Sequence, residues 1–250
     1  MASGIVLTYH GLSEERSQAP RGERKYWLAA ARFRAHLKQI ASGHRVLTLG
    51  DFWTGVAGAD GAVVLTFDDG KRSDYERAWP LLMELGLRAT FFLNTSTVGT
   101  NGFVSWSQAR ELHRSGMTFG SHGHEHVYLT WLGDSGLRRQ LCDSKRIIED
   151  RLGCPVEYFS APYGDLNESV RLAAREAGYR AVCNSRNRPA TSGFSVINRV
   201  AVYRTTSART VALLAAGNPL YLAARQARDM AIFLPKRIRL RWRRWNILTA

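Results

Sequence analysis

The stretch Val63-Val64-Leu65-Thr66-Phe67-Asp68-Asp69-Gly70 carries a short apolar run straight into two adjacent carboxylates and a glycine. Its β-branched and aromatic side chains read as a buried strand that delivers both carboxylates to one rim of a sheet. Carboxylates set side by side on so apolar an approach repel each other and lose hydration unless a cation or a shared proton relieves them. The stretch therefore points to a metal ion.

About fifty residues on, the apolar approach Gly116-Met117-Thr118-Phe119-Gly120 leads into Ser121-His122-Gly123-His124-Glu125-His126. Each half has a plain explanation: an Asp-Asp-Gly is often a capped turn, and a histidine cluster is often a solvated loop. Their combination says more. One carboxylate and two imidazoles form an open three-ligand set that leaves a coordination position for water on a catalytic divalent ion. A binuclear amidohydrolase barrel would need further histidines downstream, and none follows His126. An aspartyl-nucleophile phosphatase would need an acid partner two residues after its Asp, where this chain has Gly70.

Working outward, strand and helix text alternate. Ile5 to Gly11 is an apolar strand ending in Tyr9-His10, followed by a polar loop from Ser13 to Arg24 and an amphipathic stretch from Trp27 to Ile40. Arg45 to Leu49 is short and β-like. Helical text covers Asp74 to Leu85, Ser107 to Ser115, Leu137 to Leu152 and Asn167 to Glu176, several of these ending at a glycine. Strand text covers Ala89 to Asn94, Val156 to Ser160, Tyr179 to Cys183 and Ser195 to Val202. Such alternation predicts a parallel sheet. Chemistry-bearing residues at the C-terminal ends of several strands predict an α/β barrel with its site on that face.

These residues resemble the polysaccharide deacetylase family, carbohydrate esterase family 4. Thr66 to Gly70 match its Thr-Phe-Asp-Asp-Gly motif in full, and Gly120, Ser121, His122 and His126 match its second motif. Phe159-Ser160-Ala161-Pro162-Tyr163-Gly164 stands at its third, with Ser160 in place of the usual arginine, and the late Leu-x-His motif has no counterpart near Val196 to Val200. The resemblance covers residues 4 to 205 and implies a distorted (β/α) barrel of seven strands. It implies Asp69, His122 and His126 as metal ligands and Asp68 as general base. Pro162, Tyr163 and Trp106 would contact substrate. In a branch acting on poly-glucosamine exopolysaccharides a Tyr-His ends the first strand, so His10 takes the proton-donor role here. Zinc suits the mixed His/Asp set, with cobalt and nickel also fitting. The expected activity is removal of N-acetyl groups from an amino-sugar polysaccharide or its precursor. The alternatives are deacylation or deformylation of a lipid-linked sugar or small amide, and a silent carbohydrate-binding barrel.

At 250 residues the chain suits one barrel, expected over 1–205, with a closing helix and basic tail over 206–250. Charge is uneven: of the net +14, residues 204–250 hold +9, with Asp229 their only acid. Read as a helix, 235–250 sets Ile238, Trp242 and Trp245 on one face among six cations, a pattern for peripheral contact with an anionic membrane. Nucleic-acid binding is not expected, since no reading motif accompanies the charge. Met1-Ala2-Ser3 leads into strand text with no signal-peptide pattern, and the three widely spaced cysteines match no zinc or redox pattern. The expectation is a cytoplasmic protein, peripheral at the inner membrane face.

Overall fold

The computed structural model describes residues 1–14, 19–20 and 22–231. The strands of the barrel ring run β1 (Ser3–Tyr9), β2 (Val63–Phe67), β3 (Thr90–Leu93), β4 (Thr118–Ser121), β5 (Tyr158–Ser160), β6 (Ala181–Cys183), β7 (Val196–Ile197) and β8 (Val200–Ala201), with four further two-residue strands outside it among the described residues. Neighbours pair in parallel around a ring. The long β1–β2 register runs from Ile5 opposite Val63 to Tyr9 opposite Phe67. At the far end Val196 pairs with Val182, while Val200 pairs with Leu7. The expected continuous strand from Ser195 to Val202 is thus broken at Asn198 and Arg199; its first half joins β6 and its second half joins β1. That break closes a seven-position barrel, as expected, and frees Arg199 from the ladder.

Alternation along the strands sorts the core. Ile5, Leu7, Val63 and Leu65 pack outward with Phe33, Leu37, Leu82, Leu112 and Ile148 of the surrounding helices. Val6 and Val64 face inward with Phe92, Tyr158, Cys183 and Ile197. The barrel floor is closed by a short helix, Leu49–Thr54, which sends Leu49 and Phe52 into that inner cluster. The sequence predicts strand through Leu49; a helix begins there instead because Thr48 caps it, its side chain accepting from the Asp51 amide. Gly120 keeps the interior open, since a Cβ there would lie 2.4 Å from the Phe92 ring.

The remaining helices follow the sequence text closely. Ser105 and Gln108 form a capping box on Trp106–Arg114, and Asn167 caps Glu168–Glu176. Val211, Leu214, Ala215 and Leu222 pack into the outer core, so the segment after residue 205 covers the barrel flank. Residues 235–250, where the amphipathic tail is expected, lie outside the described residues. Among the described residues no helix is long and apolar enough to cross a membrane.

Candidate active site

The inward parity of β2 continues past its end. Val64 is inside, Thr66 donates to the Leu7 carbonyl, and Asp68 follows two residues on, 4% exposed. Asp69 then adopts φ 77°, a left-handed conformation rarely used by a side-chain-bearing residue. This twist brings its Oδ1 to 3.4 Å from His122 Nε2 and 3.5 Å from His126 Nε2. The three ligand atoms lie within 4.8 Å of one another.

This triad fits a divalent cation on its own terms. Asp69 Oδ1 is buried and has no hydrogen-bond partner, and its companions are imidazole nitrogens, the donor mix a catalytic site uses. His122 is held from behind, its Nδ1 2.7 Å from the Ser160 carbonyl oxygen. Burial raises the Asp69 pKa, but the close approach of the His122 ring and the charges of His10 and Lys71 overcome it and hold the carboxyl far below its ordinary range. Lys71, which sequence reading passed over, sits 3.5 Å from Asp69 Oδ2 and 2.9 Å from Glu23 Oε2. Its only signal was a cation directly after the Asp-Asp-Gly. Asp74 is fully buried with neither carboxyl oxygen partnered; burial and the Asp69 charge raise its pKa well above the usual value.

The guanidinium absent from position 160 arrives from elsewhere. Arg199 donates from Nη1 to Asp68 Oδ1 at 2.8 Å and from Nη2 to Asp68 Oδ2 at 2.7 Å. Nη2 also donates to Ser160 Oγ at 2.8 Å, and Ser160 Oγ in turn donates to Asp68 Oδ2 at 3.2 Å. Burial would raise the Asp68 pKa, but the Arg199 and His122 charges, the Arg199 hydrogen bonds and His10 bring it down to about 2. Asp68 is thus ionised and fixed in direction, so it can accept a proton at a set position.

His10 extends β1 as Asp68 extends β2. Its ring stacks on Tyr26 at 4.6 Å, and its buried Nδ1 has no hydrogen-bond partner. Burial pulls its pKa below the ordinary imidazole value against Asp69 and Asp68, which pull it up. His124 points to Thr95, its Nδ1 2.9 Å from the hydroxyl, and is not part of the triad. Pro162 is buried and opens a short turn at whose centre Tyr163 takes φ 61° with a half-exposed ring packed against His126. Trp106 is not brought to the triad among its described contacts; it packs on the outer core with the Arg151 guanidinium 5.9 Å from its ring. A cavity of about 350 Å³, lined by Trp27, Arg32 and Arg204 among others, holds none of the triad.

The sequence profile of the family described as polysaccharide deacetylase matches residues 55–182, which include the Asp pair, both triad histidines and the Tyr163 turn. YxkH of Bacillus subtilis is 27% identical over 181 residues, 70% of this chain and 62% of that protein. A peptidoglycan-N-acetylglucosamine deacetylase of Bacillus cereus is 30% identical over 121 residues, 48% of this chain and 54% of that protein. The chain thus spans under two thirds of the length of either relative. The structure of the Streptococcus pyogenes deacetylase PplD, in complex with acetate, superposes with a TM-score of 0.77 at 21% identity, covering 87% of this chain and 99% of that one. That likeness carries the fold.

Proposed function

We propose a function from the premise that this chain belongs to the polysaccharide deacetylase family: it is a metal-dependent hydrolase that removes N-acetyl groups from an amino-sugar polysaccharide or its precursor. The observation that carries this reading is the Asp69, His122 and His126 triad beside an Asp68 that Arg199 holds ionised. A divalent ion held by those three residues, with zinc favoured over cobalt or nickel, would supply the electrophile for the acyl oxygen and acidify the attacking water.

The chain's own residues divide the remaining work. Asp68 accepts the proton from water as it attacks the acyl carbon. The backbone N–H of Tyr163 donates to the developing oxyanion. His10 in its protonated form passes a proton to the departing amine; burial lowers its pKa and so disfavours that form at rest, and the proton taken from water is what restores it. Arg199 on Asp68 supplies the guanidinium missing from the third motif, one of the two reasons, with the absent late histidine, to consider a silent carbohydrate-binding barrel.

The test separates ligand from base. Asp69→Ala is expected to abolish zinc uptake in metal analysis. Asp68→Asn should keep the metal and lower acetate release from chitin oligomers by roughly a hundredfold or more. Wild-type turnover by Asp68→Asn across pH would remove Asp68 from the chemistry.

A second reading, deacylation or deformylation of a lipid-linked sugar, is favoured by the six cations and two tryptophans of residues 235–250. Near an anionic leaflet each cation contributes about 1 kcal/mol, enough together to hold a cytoplasmic enzyme at the inner membrane face. Full-length protein is expected to bind anionic vesicles in a salt-sensitive way, and deletion of 235–250 to abolish binding while sparing hydrolysis of soluble substrate. Equal binding by both forms would dispose of the membrane role.

A further inference from the structure

The two triad histidines approach Asp69 Oδ1 at nearly equal distances yet are held by different forces. His122 is 2% exposed and tied through Nδ1 to a carbonyl. His126 is 35% exposed, and among the described residues no hydrogen bond fixes its ring nitrogen on the side away from Asp69. Besides the His122 ring at 5.0 Å, its ring meets Tyr163, at 4.4 Å between centroids and 72° between planes. Tyr163 stacks on Tyr128 at 4.1 Å and 13°, and Tyr128 stacks on Trp131 at 4.3 Å and 21°.

This column follows from local sequence. A short 3₁₀ turn over Leu129–Trp131 follows Tyr128, and residues three apart in such a turn lie over one another. The turn therefore brings Trp131 back over Tyr128, the residue that precedes it. Tyr163 has no such help: its φ of 61° is strained for a residue with a Cβ and needs outside support. Its hydroxyl donates to the His126 carbonyl at 3.4 Å, which ties the column back to the ligand-bearing segment.

We propose that Tyr128 and Trp131 are positioning residues for His126: the ring column braces Tyr163, and Tyr163 sets the imidazole orientation that a carbonyl sets for His122. The inference rests on the reading of the triad as a metal site. Groups that orient a metal-ligating histidine without touching the ion are worth about 10- to 100-fold in metal affinity. Because the column works through stacked faces, it is the Tyr128 ring that carries the effect.

The experiment measures the zinc affinity of the metal-stripped full chain by competition with a chromophoric chelator, with circular dichroism checking the fold. Tyr128→Ala is expected to weaken zinc binding about tenfold, Trp131→Ala by less, and Tyr128→Phe to stay within about twofold of wild type because its ring is kept. If Tyr128→Ala does not fold, Tyr128→Leu, which keeps bulk without a flat ring, takes its place with the same expectation. Wild-type affinity in the alanine or leucine variant, or an equal loss in Tyr128→Phe, would overturn the inference. Failure of the wild-type chain to bind zinc at all would instead overturn the proposed function beneath it.

Discussion

The two sides of this site are built by opposite means. On one side Asp68, Arg199 and Ser160 form a dry, charged cluster in which every oxygen of the carboxylate is occupied, with the Arg199 side chain only 1% exposed. On the other, His126, Tyr163, Tyr128 and Trp131 meet as rings, and Tyr163 is 55% exposed. A buried ion pair is costly to assemble and more costly to break, so it fixes direction firmly. Stacked rings fix orientation with less energy and tolerate an open face. Asp68, the proposed proton acceptor, is locked by charge, while the wall open to solvent is braced by packing.

The largest break in that contrast should come at Arg199. Arg199→Met leaves a buried carboxylate without its cation, with an expected cost of about 3–5 kcal/mol in stability and roughly a hundredfold or more in turnover. Arg199→Lys restores charge without the two-pronged geometry and should fall between. Urea unfolding and acetate release read both effects. A stable, fully active Arg199→Met protein would show that Asp68 needs no guanidinium.

Acid offers a finer probe of the same side. The folded Asp68 carboxyl is held at about 2, against 3.8 unperturbed, so between those values the unfolded chain takes up a proton that the folded chain refuses. Its contribution to stability is present above pH 3.8 and is lost as pH falls toward 2. In Arg199→Met the burial that raises this pKa meets less opposition, so the stability gap between wild type and variant should narrow by on the order of 2 kcal/mol from pH 6 to pH 2. Urea midpoints of both proteins along that range measure it. A constant gap would mean that Arg199 acts through packing rather than charge.

The two sides also differed in how far the sequence disclosed them. Asp68, Asp69, His122 and His126 sit in short runs whose spacing is local, and the parity of β1 and β2 carries His10 and Asp68 inward together. Arg199 was invisible for a physical reason. It lies 131 residues from Asp68, and its access depends on a break in strand text that reads as continuous from Ser195 to Val202. One long cation inside an apolar β run was the available signal, since a buried arginine needs an acid partner. The Tyr128 and Trp131 column was hidden by the turn that joins them, while Trp106, expected at the substrate, went to the flank of the barrel.

The smallest expected effect lies where the two sides come nearest in sequence. Ser160 donates to Asp68 and accepts from Arg199, yet the ion pair keeps two direct hydrogen bonds without it. Ser160→Ala should therefore cost about 1–2 kcal/mol in stability and leave most of the turnover intact. Its carbonyl, which holds His122, survives the change, so zinc affinity should not move. Ser160 acts on Asp68 and Arg199, and Tyr128 on Tyr163 and Trp131, and changes at sites without shared partners add to within about 0.5 kcal/mol. The stability losses of Ser160→Ala and Tyr128→Ala should accordingly sum in the double variant, measured by urea unfolding in the presence of zinc. A larger departure would mean that the charged side and the ring side are coupled through the triad, and that neither wall is set independently of the other.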